Sequence, residues 1–270
     1  MPRMKIRSLT KEDLPRILLL LCEGFPRRSR DYWVRALDVL GRRAELPGFP
    51  RFGWGLEADG EVHGILIVIA DVADGQRRAN LSSWYVREPY RAAGFMMLRR
   101  AMAERGVTYT DLSPAPNVLP IALKLGFRPY TGGMAMLTAI DALRPGGSAG
   151  APTADEERAF AARIGAQIGY GNTPLMVGGA PALYRLKWLK RAVPAAQFTF
   201  GDPHMLVGNA GALMRALLRR GVPVALFDLP PGFVPDAGRH MPGRQIRYAT
   251  GGPAPRPGDL CETEIALFGP

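Results

Sequence analysis

The sequence predicts an α/β protein built from two modules, on three observations. Helical periodicity and strand alternation interleave along the whole chain rather than segregating into blocks. A Gly/Pro/Ser-rich stretch, RPGGSAGAP at 144–152, divides the chain near its middle. A helix-to-strand segment also recurs at an offset of 115. Leu98, Arg100, Ala101, Arg105, Gly106 and Val107 meet Leu213, Arg215, Ala216, Arg220, Gly221 and Val222. The expected division is a first domain at 1–143, a linker at 144–152 and a second domain at 153–270. The second domain reads as a degenerate copy of the first. A chain of 270 residues has room for two domains at roughly 150 residues each.

The elements follow in order. MKIRSLT (4–10) alternates as a strand, and Thr10 caps a helix with Glu12 and Asp13 in its first turn, running to about Gly24. DYWVRALDVLGRR (31–43) is a second helix whose stripe Val34, Leu37 and Leu40 is expected in the core. RFGWGLEADG and EVHGILIVIADVA are strands joined at Asp59-Gly60, a strong hairpin signal. ANLSSWYV (79–86) is a further strand, followed by the turn EPYRAAG, a helix ending at Gly106, and the strand VTYTDLS (107–113). NVLPIALKLGF (117–127) is a short helix and RPYTGGMAMLTA (128–139) one strand.

In the second half ADEERAFAARIGAQIG (154–169) is a helix, and TPLMVG, ALYRLKWLK and AAQFTFG are strands. GALMRALLRRGVPVALFDL (211–229) is a helix and a strand. ETEIALFG (262–269) reads as a closing strand with Glu262 and Glu264 on one face, most simply turned to solvent. RLKWLKR (185–191) reads as a strand with one solvated basic face and one buried face; a nucleic-acid patch is the alternative.

Apolar residues make up 47% and charged residues 22%, which excludes a disordered chain. The formal charge of +11 favours phosphate-bearing partners such as nucleotide cofactors, nucleic acid or anionic lipid, although scattered arginine pairs produce the same total. Cys22 and Cys261 form no disulfide framework, and His63, His204 and His240 stand at no ligand spacing, so no metal is expected. The run ILLLLC (17–22) follows the acidic KEDLP and so reads as a helix, not a signal peptide. No run approaches the ~20 apolar residues of a membrane span, and a cytoplasmic location is expected.

The segment YVREPYRAAGFMMLRR (85–100) hands a strand over to a helix, with Arg91 and Gly94 in the turn. Unpaired N–H groups at a helix start attract phosphate, and small residues let the phosphate approach the backbone. With LSSWYV before it and KLGF (124–127) after it, this segment resembles the GNAT superfamily, which moves acyl groups from coenzyme A to an acceptor, usually an amine. Val86, Tyr90, Arg91 and Gly94 match the superfamily's strand, loop and helix, and the resemblance covers roughly the first half of the chain.

It implies a mixed, mostly antiparallel central sheet flanked by helices, in a tandem arrangement with a second module. It also implies an acetyl-CoA or other acyl-CoA site at Trp84, Tyr85, Val86, Arg91, Ala92, Ala93, Gly94 and Phe95, with the strand ending at Val86 splayed from its neighbour. Three positions depart from the superfamily pattern. Met96 stands where the loop closes on Gly or Ala, Ala122 stands in place of a tyrosine acid, and Ala115 in place of an asparagine, with Asn117 out of step.

Candidate catalytic groups are Asp111 and Ser113, as base relay or hydroxyl donor, and Tyr130 as an acid; turn chemistry in DLSPAP is the plainer reading of the first two. The resemblance implies that EGFPRRSRDYW (23–33) borders the acceptor pocket, with Arg27, Arg28 and Arg30 for an anionic group and Tyr32 and Trp33 for an apolar wall; a solvated basic turn with Trp33 packed on the core is the plainer reading. The second half has VGNAG (207–211) at the equivalent loop, without the arginine, so donor binding falls to the first half. His204 reads as a surface or capping residue. The expected function is acyl transfer to a small-molecule or protein amine. A catalytically inactive GNAT-fold ligand-binding or interaction module and an aminoacyl-tRNA-dependent transferase are the alternatives.

Overall fold

The computed structural model describes residues 4–269, which form two compact units. The first unit runs to Phe127 and takes in Ala249–Pro253; the second comprises Arg128–Tyr248 and the chain from Ala254 onward.

The first unit opens with β1 (Met4–Ser8) and a single 3-10 turn at Lys11–Asp13. The helices α1 (Leu14–Gly24) and α2 (Arg30–Arg42) follow. Thr10 and Asp13 form a capping box at this entry. The strands β2 (Trp54–Ala58), β3 (Glu61–Ala73) and β4 (Gln76–Val86) come next. They turn at Asp59-Gly60 and again at Asp74-Gly75, where all four residues have positive φ, as a tight hairpin turn requires. A 3-10 segment, Glu88–Ala93, runs into α3 (Gly94–Ala101), then β5 (Val107–Asp111) and α4 (Leu119–Lys124). The buried stripe of α2 is Trp33, Ala36, Leu37 and Leu40. Val34, expected in the core, is 44% exposed because it lies off that stripe.

The second unit begins with β6 (Arg128–Pro129), β7 (Gly133–Thr138) and β8 (Ala149–Gly150). It continues with α5 (Ala154–Gly169), β9 (Thr173–Val177), β10 (Ala180–Leu189) and β11 (Val193–Phe200). Then come α6 (Pro203–Gly208), α7 (Ala210–Leu218), β12 (Val224–Leu229) and β13 (Arg239–Pro242). β14 (Tyr248–Thr250) falls mostly within the Ala249–Pro253 segment of the first unit, and α8 (Glu264–Leu267) completes the second. Its core packs Leu213, Met214 and Leu217 of α7 against Ala135, Leu137, Phe198 and Phe227 of the sheet.

The two sheets have seven strands each, ordered β1-β2-β3-β4-β5-β14-β6 and β13-β7-β12-β11-β10-β9-β8. Both are mixed: β4 pairs parallel with β5 and antiparallel with β3, and β11 parallel with β12 and antiparallel with β10. The residues read as a repeat occupy corresponding places. Leu98 and Leu213 are both buried, and Gly106 and Gly221 both adopt positive φ just before β5 and β12.

Three expectations need correction. The segment at 144–152 is not the boundary: β8 lies within it and pairs with β9, and the chain changes unit after Phe127. Gly and Pro mark loops whether or not a domain ends there. The single strand read at 128–139 breaks at Tyr130–Gly132, and its second part, β7, pairs with β12 in the second sheet. The closing strand read at 262–269 is the short helix α8. Glu262 has a φ of 57°, and Leu267 N–H donates to the Thr263 carbonyl at 2.9 Å, so Glu262 and Glu264 share no strand face.

Arg7 fixes the N-terminal strand. Its guanidinium donates to both Asp13 oxygens at 2.7 and 2.8 Å and to Glu57 on β2. These bonds hold the Asp13 carboxyl down at about 2. The stabilisation is therefore present above the ordinary Asp range and is lost as pH falls through about 2. Arg7→Met should cost about 2 kcal/mol, between the values for exposed and buried ion pairs. Urea unfolding at pH 7 measures the loss, and it should shrink as the pH approaches 2.

Candidate functional site

The parallel pairing of β4 with β5 runs from Arg77/Val107 to Asn80/Thr110 and stops there. β4 continues to Val86, paired on its other side with β3 through Trp84/Leu66, Tyr85/Ile65 and Val86/Gly64. Between Leu81 and Trp84 the register with β3 shifts, so Ser82 and Ser83 together face Ile67 as a bulge. A bulge bends its strand and increases the local twist. The buried Asn80 side chain sits at the crotch and donates to the Thr110 carbonyl and hydroxyl, each at 3.3 Å. Beyond it, among the described residues, no strand pairs with the β5-side edge of Ser82–Val86. Neither Asn80 nor the bulge was identified from sequence, though two adjacent serines interrupting the alternation of ANLSSWYV are the mark of such a bulge.

The strand-to-helix junction differs from expectation in one respect. The Gly94 N–H donates to the Arg91 carbonyl, closing the 3-10 segment, so it is not free to hold a phosphate. What Gly94 provides is closeness: a Cβ there would lie 3.0 Å from Trp84 Cζ2 and 3.5 Å from Val86 Cγ2. Ala93 and Gly94 are buried, whereas Arg91, Ala92 and Phe95 are exposed. Met96 is 55% exposed and does not enter the core; Met97 does. Trp84 and Tyr85 are half-buried and Val86 is buried. The indole Nε1 of Trp84 is buried with no hydrogen-bond partner.

Asp111 ends β5 on the opposite arm of the fork. One of its oxygens accepts from the Ser113 N–H at 3.2 Å, so the two residues form the expected turn. Burial raises the Asp111 carboxyl to about 6, a value suited to a base near neutrality. Ser113 is exposed. Tyr130 belongs to the second unit and is 7% exposed. Burial, and then the neighbouring Asp228 carboxylate, push its phenol far up and hold it protonated. Ala122 is also buried and offers no proton.

On the side of α1, Arg87 at the end of β4 makes a two-pronged contact with Glu23, at 3.0 and 2.7 Å. This pair, missed in the sequence, ties α1 to the free-edged part of β4. Gly24 lies against Tyr85, whose Cγ would be 2.4 Å from a Cβ at that position. Arg27, Arg28 and Arg30 are exposed, and the Arg28 guanidinium lies 4.5 Å above the Tyr32 ring. Trp33 is 2% exposed and packs with the rings of Phe25 and Tyr32, which makes it part of the core rather than the wall of an open pocket.

The second unit builds the same fork and fills it. β11 pairs with β12 as far as Gln197/Leu226, and the buried Gln197 amide donates to the Leu226 carbonyl at 3.4 Å, as Asn80 does in the first unit. β11 is also shifted in register, at Thr199. Here the chain itself lies along the edge beyond. Leu260 N–H donates to the Thr199 carbonyl at 2.8 Å, Gly201 N–H to the Gly258 carbonyl at 3.1 Å, and Phe200 bridges to Asp259. Gly258 has a φ of 89°, and a Cβ on it would lie 2.2 Å from the Gly201 carbonyl oxygen. Asp202 caps α6 through the His204 N–H at 2.8 Å, so His204 follows a cap, close to its expected place. The apolar–basic alternation of RLKWLKR holds, but its exposure does not match expectation. Leu186 and Trp188 are 53% and 61% exposed, while Arg185 turns in and donates to the carbonyls of Ala266 and Leu267.

The raised Asp111 carboxyl has a measurable consequence. The unfolded chain releases this proton near 3.8 and the folded one near 6, so stability falls as pH rises through that window. Asp111→Asn can still accept the Ser113 bond and should stabilise the protein by about 2 kcal/mol at pH 7.5. Denaturant titrations should show that gain disappearing by about pH 4.

In sequence comparisons the chain matches no family model and no curated protein. Solved structures do match. A protein of Pyrococcus horikoshii, provisionally described as an acetyltransferase, is 14% identical with a TM-score of 0.60, covering 95% of this chain and 92% of that one. A GCN5-related N-acetyltransferase of Kribbella flavida is 15% identical with a TM-score of 0.59, covering 92% of this chain and 71% of its own. One from Sphaerobacter thermophilus is 13% identical with a TM-score of 0.52, covering 96% and 98%. At these identities the likeness is one of architecture, and it is nearly complete in length: the chain has the fold of the GCN5-related N-acetyltransferases.

Proposed function

We propose that the protein transfers an acyl group from acyl-CoA to an amine-bearing acceptor by direct attack. The free edge of β4 from Ser82 to Val86 carries this reading. A pantetheine arm has amide groups spaced along an extended chain, and such an edge offers it backbone partners as an added strand would find. The exposed Arg91 guanidinium, beside Ala92 and Phe95, is the group for the donor's phosphates.

The acceptor nitrogen loses its proton to the Asp111 carboxylate and attacks the thioester carbonyl carbon. The tetrahedral adduct then collapses with cleavage of the carbon–sulfur bond. The departing thiolate takes up a proton from water or through the Ser113 hydroxyl, and the proton held by Asp111 is returned to that donor, so one proton passes in all from nitrogen to sulfur; Ala122 supplies none. Arg27, Arg28 and Arg30 favour an acceptor that also carries an anionic group. The filled fork of the second unit supports one donor per chain.

A second reading keeps the fold without the chemistry: a ligand-binding or interaction module. The buried Ala122 and the occupied Gly94 N–H favour it.

Thiol release from acetyl-CoA and longer acyl-CoA donors, across a panel of amines, separates the two. Transfer predicts turnover with kcat/KM falling below about pH 6. Asp111→Asn should lower kcat by about 100-fold or more and remove that limb. Calorimetry should give one CoA bound per chain. CoA binding without thiol release, or no CoA binding at all, supports the module instead, and two CoA per chain contradicts the assignment of the second fork.

A further inference from the structure

The second sheet carries a groove that none of this chemistry uses. β7 alternates: Ala135 and Leu137 enter the core under α7, while Met134 and Met136 point to the other face. The register extends that face across the sheet, with Leu226 of β12 and Arg239 of β13 both opposite Met136. On this face lies a groove of about 700 Å³, within the range of small-molecule sites. Its floor is the buried pair Met134 and Leu226 with the half-buried Met136 and Leu189. Methionine adapts to irregular aliphatic ligands. The exposed Arg239 and Arg244 stand at its rim, and among the described residues no Asp or Glu lines it. Asp228, on the same face opposite Met134, is buried and neutralised by Arg247 at 2.9 Å, so it does not repel an anion.

We propose that this groove binds a free fatty acid. The carboxylate is held by Arg239 and Arg244, and the hydrocarbon chain lies over Met134, Met136 and Leu226. Arginine suits a carboxylate because its planar fork matches both oxygens. The concave shape takes a single chain and not a bilayer surface. This site stands apart from the β4 fork, and its test does not depend on acyl transfer.

The test is calorimetric titration of the full chain with decanoate below its micelle concentration, beside decanol and decylamine. The expected result is saturable binding of one decanoate per chain, decanol about tenfold weaker, and no decylamine binding. Arg239→Gln with Arg244→Gln should weaken decanoate about tenfold and leave decanol unchanged. Met136→Glu should abolish uptake of both, with far-UV circular dichroism showing each variant folded. Failure of decanoate to saturate, equal binding of decylamine, or unchanged affinity in the double variant overturns the proposal. So does a dimer in sedimentation that dissociates on Met136→Glu without decanoate uptake, which would assign the face to a second copy. Uptake onto phosphatidylglycerol vesicles with no decanoate binding also overturns it.

Discussion

The candidate site depends on a parallel pairing that ends early. β4 and β5 stay together from Arg77/Val107 to Asn80/Thr110 and then part, and beyond Asn80 β4 is paired, among the described residues, with β3 alone. Several local features produce the parting. The bulge at Ser82 and Ser83 bends β4, Asn80 spends its amide on Thr110 at the last rung, and the Asp111–Ser113 turn leads the other chain away. Exposed backbone donors and acceptors on a strand edge attract another extended chain. Under the proposed function that property serves the acyl donor, with a desolvated carboxylate at the end of β5 and the exposed Arg91 in the 3-10 segment that follows β4.

The second unit provides an internal comparison. It has the same parallel pair, the same register shift and a buried carboxamide at the crotch, yet Gly258–Leu260 takes the edge that β4 leaves open. Two glycines make this possible, since any side chain at Gly258 would collide with the Gly201 carbonyl. One architecture thus supports two outcomes. An edge filled by the chain itself adds to stability, and an edge left open remains available to a partner.

Much of the fold was legible because its signals are local. The hairpin at Asp59-Gly60 turns where its residues say it should, and α5 spans the expected 154–169, with Thr153 and Glu156 closing a capping box. The misses come from pairings between distant residues. β7, from the first half of the sequence, lies beside β12, and β14, from the second half, lies beside β5; no local pattern encodes either placement. The same limit hid the site's details. Composition cannot show that Tyr130 is buried beside Asp228 or that the Gly94 N–H is already bonded. Asp111 was identifiable as a residue type at a strand end, but its raised carboxyl follows from burial, which only the fold determines.

Amide hydrogen exchange on the full chain, with and without CoA, probes the parted strand most directly. The account predicts that CoA slows exchange at Ser82–Val86 and leaves Phe198–Gly201, already covered by Gly258–Leu260, unchanged. Tight CoA binding with no change at Ser82–Val86, or with protection confined to Phe198–Gly201, would contradict it.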